Sequence, residues 1–205
     1  LRILYARIGR PYCLVCVQEI ERLSNDEIKN CIIEKINARL KTALKESDRP
    51  LNFPIYVELF APLVRGRKGE HYQLLYDLLG KGFSEVIVDG ERKKLREQII
   101  LSRNKTHNID VLVDQINIYD FKNQKSGALE RLSESLERTL GESDGLVKVS
   151  FNVLNPKKTE ADAAREKEEE FTMSSKFSCP RDGYSYPEIE PRLFPVRDHI
   201  QSRRH

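Results

Sequence analysis

Tryptophan is absent from the 205-residue sequence, methionine occurs once, and aromatic residues make up 8%. No apolar run approaches the ~20 residues that a membrane-crossing helix needs. The first residues show no signal-peptide pattern. The four cysteines are irregularly spaced, which argues against a disulfide scaffold. These absences lead to the expectation of a soluble cytoplasmic protein with no membrane partner. A strong charge imbalance is also missing. Lys and Arg total 35 against 32 Asp and Glu, a formal net charge of +3. Whole-chain attraction to polyanions is therefore excluded, and any nucleic-acid role must come from a local patch.

A phosphate loop is lacking too. Gly66-Arg67-Lys68-Gly69 has its glycines and lysine, but Glu70 and His71 follow. A lysine for the phosphates and a hydroxyl for magnesium are needed in fixed order. The chain by itself is expected to hydrolyse no ATP and to contain no catalytic residues, and no nucleophile–base pair or internal repeat stands out.

What is present is a succession of periodic segments. Residues 24–46 read as a helix with Ser24 as N-cap and Glu27 as its capping-box partner. Ile28, Ile32, Ile36, Leu40 and Ala43 lie on one face, and Asp48-Arg49-Pro50 ends it. Ile55, Val57 and Leu59 alternate with Tyr56, Glu58 and Phe60, a strand with two usable faces that stops at Ala61-Pro62. The basic glycine loop leads into a helix carrying Leu74, Leu75, Leu78 and Leu79, which Gly80 and Gly82 close. Val86 and Val88 mark a strand, Asp89-Gly90 a hairpin turn, and Leu95 the returning strand. Residues 109–119 form another strand, with Val111 and Val113 on one face and Leu112, Ile116 and Ile118 on the other. Leu129, Leu132, Leu136 and Leu140 stripe a helix closed by Gly141 or Gly145. Leu146, Val147, Val149, Phe151 and Val153 make the last strand. The order implies an α+β fold: a mostly antiparallel sheet with helices packed on one side. Residues 1–23 read as a flank and 24–154 as the domain. Residues 155–170 are a charged linker or hairpin tip, and 171–205 a return segment.

Arg65, Arg67 and Lys68 place three positive charges within four residues, between glycines that expose backbone amides. Such a loop can hold a phosphate or a carboxylate-rich partner, or simply be a solvated turn. His71 and His107 have no second ligand at metal spacing, so a hydrogen-bonding role fits each. Asp89 is a turn former, and Asp114 needs a basic partner. Cys13-x-x-Cys16 is half of a zinc knuckle, whereas a structural site takes four ligands.

Several runs together resemble the UvrA family, the A subunit of excinuclease ABC in nucleotide excision repair. They are residues 59–91, with Leu59-Phe60-Ala61-Pro62 through Gly82-Phe83-Ser84-Glu85-Val86-Ile87-Val88-Asp89-Gly90-Glu91; residues 1–11; Lys105-Thr106-His107-Asn108-Ile109-Asp110-Val111-Leu112-Val113-Asp114; residues 131–137; Asp144-Gly145-Leu146-Val147; and, in the return segment, Phe177-Ser178-Cys179-Pro180 and residues 188–194. They follow in family order over most of residues 1–194. The resemblance implies the UvrB-binding domain with short flanks of the first ATPase half. It implies UvrB as partner, docked during DNA damage recognition, and assigns ATP hydrolysis, DNA contact and homodimerisation to the full-length protein. It implies partner-binding roles for Arg65, Arg67, Lys68, His71, Glu85, Asp89, Glu91 and Gln115. Where the family commonly carries arginines this chain has Glu85, Ile87 and Gln115. Of the family's zinc cysteines, Cys179 is present and Asp182 replaces the second of the pair. Cys13, Cys16 and Cys179 thus remain as a weak zinc set. The alternatives are an independent nucleic-acid module using Arg65, Arg67, Lys68, Lys93 and Lys94, or a degenerate remnant.

Overall fold

The computed structural model describes residues 12–13, 17, 19–20, 22–45, 54–122, 127–153 and 170–176. They form three helices and one six-stranded antiparallel sheet, the α+β fold expected from the alternation. In chain order these are α1 (Asn25–Lys45), β1 (Ile55–Lys68), α2 (Tyr72–Gly80), β2 (Glu85–Val88), β3 (Glu91–Lys94), β4 (Thr106–Asn117), a 3-10 turn (Ile118–Lys122), α3 (Ala128–Glu142), β5 (Leu146–Val153) and β6 (Phe171–Ser174). The strand order is β3-β2-β4-β1-β5-β6.

α1 begins as its capping box requires. The Ser24 amide donates to Glu27 Oε2 at 2.7 Å, and the Glu27 amide donates to Ser24 Oγ at 3.3 Å. Those bonds, the Ser24 amide first, hold the Glu27 carboxyl below its ordinary value. Ile28, Ile32, Ile36 and Leu40 bury into the larger of two clusters with Leu132, Leu136 and Leu140 of α3 and Val57, Leu59, Val147, Val149 and Phe151 of the sheet. Removing each such side chain from water contributes about 2 kcal/mol. The second cluster joins Leu75 and Leu78 of α2 to Ala61, Val64, Val86, Val88, Ile109 and Val111. Along β1, Val57, Leu59 and Ala61 share one parity, so both clusters lie on the same face of the sheet. Leu95 is buried in the second cluster but lies just past β3, its amide donating to the Ser84 carbonyl. α2 stops as expected, with the Gly82 and Phe83 amides returning to the Leu79 and Leu78 carbonyls.

Two corrections concern bulges. β1 does not end at Ala61-Pro62; it continues to Lys68, with register shifts after Leu59, Pro62 and Val64. Pro62 is tolerated because β5 pairs with β1 only over residues 55–60, so on that side its missing N–H is not needed. Gly66, at φ +57, occupies a bend that residues with a Cβ rarely adopt. On β4 the second bulge falls at Val113: Leu59 pairs with Asp114, but Phe60 pairs with Leu112. One extra residue exchanges the faces beyond it. Ile109 and Val111, then Ile116 and Ile118, all reach the helix-covered side, and strict alternation between Val111 and Val113 fails to carry through.

β6 was not legible in the strand signals. It pairs with β5 from Leu146↔Ser174 to Val149↔Phe171. Gly145, rather than Gly141, terminates α3, its amide donating to the Leu140 carbonyl. It has φ +92, and an added Cβ would stand 2.8 Å from Ser175 Oγ.

Candidate functional site

The second face of the sheet carries charge where the first carries aliphatic side chains. Its centre is Glu58, mid-strand on β1 and fully buried. Register sets Gln115 on one side of it and Ser150 on the other. Glu58 Oε1 accepts from Gln115 Nε2 at 3.1 Å and Asn152 Nδ2 at 3.3 Å; Oε2 accepts from Arg92 Nη2 at 2.5 Å and Ser150 Oγ at 3.4 Å. A buried carboxylate demands such partners, since desolvation without them costs several kcal/mol. Arg92 also donates from Nη1 to Glu85 Oε2 at 3.1 Å. The contacts thus run Glu85, Arg92, Glu58, Gln115 across four strands. Phe60 lies between two cations, 5.9 Å from the Arg92 guanidinium and 6.0 Å from Lys148 Nζ.

A second group of charges adjoins it. Asp110 is buried, with Arg65 Nη1 3.3 Å from Oδ1 and Lys148 Nζ 3.4 Å from Oδ2; Lys148 also meets Glu170 at 2.9 Å. The Arg65 contact is ionic rather than an aligned hydrogen bond, and Arg65 Nε is buried with no hydrogen-bond partner among the described residues. Burial pushes the Asp110 carboxyl above its ordinary value, against the pull of Arg65 and Lys148. On the helix-covered side the bulge turns Asp114 toward α3. There Arg131 grips it with two bonds of 2.9 and 2.6 Å, and Ser135 Oγ donates to Oδ2 at 2.6 Å. Desolvation raises the Asp114 carboxyl, but the bonds from Arg131 and Ser135 outweigh it and hold it below its ordinary value.

The hairpin turn is fastened to the sheet by a histidine. Asp89, in the left-handed region at φ +53, accepts the Asn108 amide on Oδ1 at 2.8 Å and meets His107 Nδ1 at 2.7 Å through Oδ2. His107 Nε2 lies 2.9 Å from the Ser102 carbonyl. Asn108 Oδ1 in turn accepts the Gly66 amide at 2.8 Å. One latch therefore ties the β1 bulge, the hairpin turn and the loop before β4. The Asp89 bond, first, and the Ser102 bond raise the His107 pKa above its ordinary value.

The residues singled out by sequence do not form one site. Arg65, Glu85 and Gln115 lie on or beside the polar face, Arg65 turned inward to Asp110. Asp89 sits at the hairpin turn, where Glu91 begins β3 and pairs with Lys93 at 3.2 Å. Arg67 and Lys68 are exposed at the far end of β1, opposite His107 and Thr106. His71 caps α2 in a left-handed conformation, its Nε2 3.3 Å from the Arg67 carbonyl and its ring edge-on to His107. Cys13 is buried, while Cys16 and Cys179 lie outside the described residues. Among the described residues no three His, Cys, Asp or Glu side chains gather as a metal site, and no helix is long and apolar enough to cross a membrane. Glu58, Arg92, Asp110 and Lys148 escaped sequence reasoning. The available signal was a glutamate set mid-strand between residues with apolar alternation.

Residues 54–153 match the family described as the UvrA interaction domain. Along 95% of its length the chain is similar to proteins described as UvrABC system protein A. It is 34% identical over 194 residues to that of Halalkalibacterium halodurans, 36% over 194 to that of Streptomyces coelicolor and 34% over 196 to that of Bacillus subtilis. The chain spans 16% of the length of each.

Proposed function

Because the chain belongs to the UvrA family and carries its interaction domain over residues 54–153, we propose that it is a docking domain for UvrB in nucleotide excision repair. It brings UvrB to damaged DNA, while ATP hydrolysis, most DNA contact and pairing with a second copy belong to the rest of the full-length protein. The chain itself turns over no ATP and requires no cofactor; a zinc ion shared by Cys13, Cys16 and Cys179 would be weakly held.

The observation that carries this reading is the contact chain Glu85–Arg92–Glu58–Gln115. Glu85, Ile87 and Gln115, which stand where the family commonly has arginines, belong to one polar face beside the hairpin. Arg65, Arg92 and Lys148 supply its positive charge, and Glu58, Glu85 and Asp110 its negative charge. A face of mixed, fixed charge suits a polar protein partner, because oriented ion pairs select register and partner more than raw affinity. It also implies a partner surface altered in step with Glu85.

Titration calorimetry with cognate UvrB tests the reading. The chain binds, and Glu85→Arg with Gln115→Arg shifts affinity by about tenfold or more, a size expected for changing charged interface anchors. The shift favours a UvrB with an acidic docking surface over the cognate one. Absence of binding by both forms to either UvrB overturns the proposal.

A further inference from the structure

At the sheet end where the last residues of β1 meet the start of β4, four exposed cations stand outside the ion pairs of the polar face. Arg67 and Lys68 are exposed at the end of β1, and Arg103 and Lys105 are exposed in the loop that feeds β4. The pairing Lys68↔Thr106 and Arg67↔His107 brings these two segments side by side. None of the four has an ion-pair partner among the described residues. Arg65, three residues before Lys68, is different: it is spent on Asp110. The basic cluster read from sequence thus divides, and its free part moves to the sheet end and gains two members from a segment 35 residues away.

Composition around these cations indicates what they meet. Residues 102–108 read Ser-Arg-Asn-Lys-Thr-His-Asn, with no carboxylate and no apolar side chain. All but His107 are exposed. The neighbouring carboxylate of Asp89 is already held by His107 and the Asn108 amide, and Glu70 is the acidic residue that follows Lys68 at one remove. Protein interfaces centre on buried aromatic or aliphatic anchors. Contacts to a phosphodiester backbone instead come from Arg and Lys, from Ser, Thr and Asn, and from backbone amides. We infer that the sheet end bearing Arg67, Lys68, Arg103 and Lys105 is a contact site for the phosphate backbone of nucleic acid, separate from the docking face. Binding there is independent of base sequence, because contacts to the phosphate backbone carry no sequence information.

The test is a fluorescence-anisotropy titration of the whole chain with a labelled DNA duplex, repeated over a salt series. Four phosphate contacts give a slope of log K against log salt near −3.6, and a loss of about a hundredfold between 50 and 200 mM salt. Arg67→Ala with Lys68→Ala, and separately Arg103→Ala with Lys105→Ala, should each make the slope shallower by about 1.8. Arg22→Ala with Lys41→Ala, two exposed cations outside the cluster, is the charge-matched control and should leave the slope unchanged. All six side chains are exposed, so the variants keep the fold, which circular dichroism verifies. Three results overturn the inference: no salt-dependent binding, an equal loss in the control, or tighter binding of polyglutamate than of DNA, which would assign the cluster to an acidic protein. UvrB binding measured on the same variants separates this result from the docking proposal, which rests on the face of Glu85, Arg92, Glu58 and Gln115.

Discussion

The two faces of the sheet are stabilised in different ways. On the helix-covered face, Val57, Leu59, Val147 and Val149 meet Ile32, Ile36, Leu132 and Leu136 with no polar atom to satisfy. On the other face, Glu58 and Asp110 are as deeply buried as the aliphatic side chains behind them, yet each depends on named partners. Outside the Asp114–Arg131–Ser135 contact, the first face tolerates apolar residues of suitable shape; the second depends on matched donors and acceptors. Fixing these charges in place carries the cost of their desolvation, which fits the proposed docking role.

The largest expected effect is on the helix-covered face. Leu132, fully buried between α1 and the sheet, when changed to Ala should destabilise the domain by about 3 kcal/mol, from lost transfer energy and the cavity left behind. Urea unfolding followed by circular dichroism measures this. A loss below about 1 kcal/mol would mean that the two helices close over the gap and that this face is less tightly packed than its contacts indicate.

An intermediate effect sharpens the contrast. Arg92→Ala leaves Glu58 with three neutral donors, and should cost about 2 kcal/mol. That is less than for a fully buried pair, because the Arg92 side chain is 38% exposed. The informative variant is the double change Glu58→Met with Arg92→Met, which removes both charges. It should recover part of the lost stability, since it removes the charge left unpaired, although Gln115, Ser150 and Asn152 lose their acceptor. If the double variant is less stable than Arg92→Ala alone, the polar network contributes net stability and the contrast between the faces is wrong.

Sequence periodicity made the helix-covered face legible, because burial against helices imposes the 3.6 and 2.0 repeats directly. The Ser24–Glu27 box, the Ile28 to Leu40 stripe and the Asp89-Gly90 turn are all where local chemistry puts them. The polar face was not legible, for two reasons. Its partners are far apart in sequence: Arg65 meets Asp110, and Glu58 meets Arg92, Gln115, Ser150 and Asn152. In addition, the bulge at Val113 decides which β4 side chains reach which face. An inserted residue leaves no mark on composition, so alternation read through it misassigns Asp114 and Gln115 together. The basic run from Arg65 to Lys68 was visible as charge. Its division into a paired arginine and two free cations depended on the β1 bulges, which turn Arg65 one way and leave Arg67 and Lys68 exposed.

The smallest effect lies at the hairpin turn, in the latch of Asp89 and His107. Both ring nitrogens of His107 point at acceptors, the Asp89 carboxylate and the Ser102 carbonyl. A neutral imidazole has one N–H and can serve only one of them, so the fold favours the imidazolium. The nearby Lys105 opposes this charge and Asp89 supports it, and the net direction is a pKa raised above the ordinary 6.5. For Asp89, desolvation pushes the carboxyl up, but the bonds from His107 and the Asn108 amide hold it below 3.8. A raised histidine stabilises fully below its unfolded pKa and loses that contribution as pH climbs through the folded value. A lowered aspartate stabilises above its unfolded pKa and loses its contribution as pH falls through the folded value. The latch is therefore strongest between about pH 4 and pH 6.5 and weakens toward alkaline pH. Unfolding measured from pH 5.5 to 8.5 should show stability falling as pH rises above 6.5, with the fall much reduced in His107→Asn. The same slope in both proteins would show that the imidazolium does not hold the hairpin, and that the turn is kept in place by the Asn108 amide bond and the sheet alone.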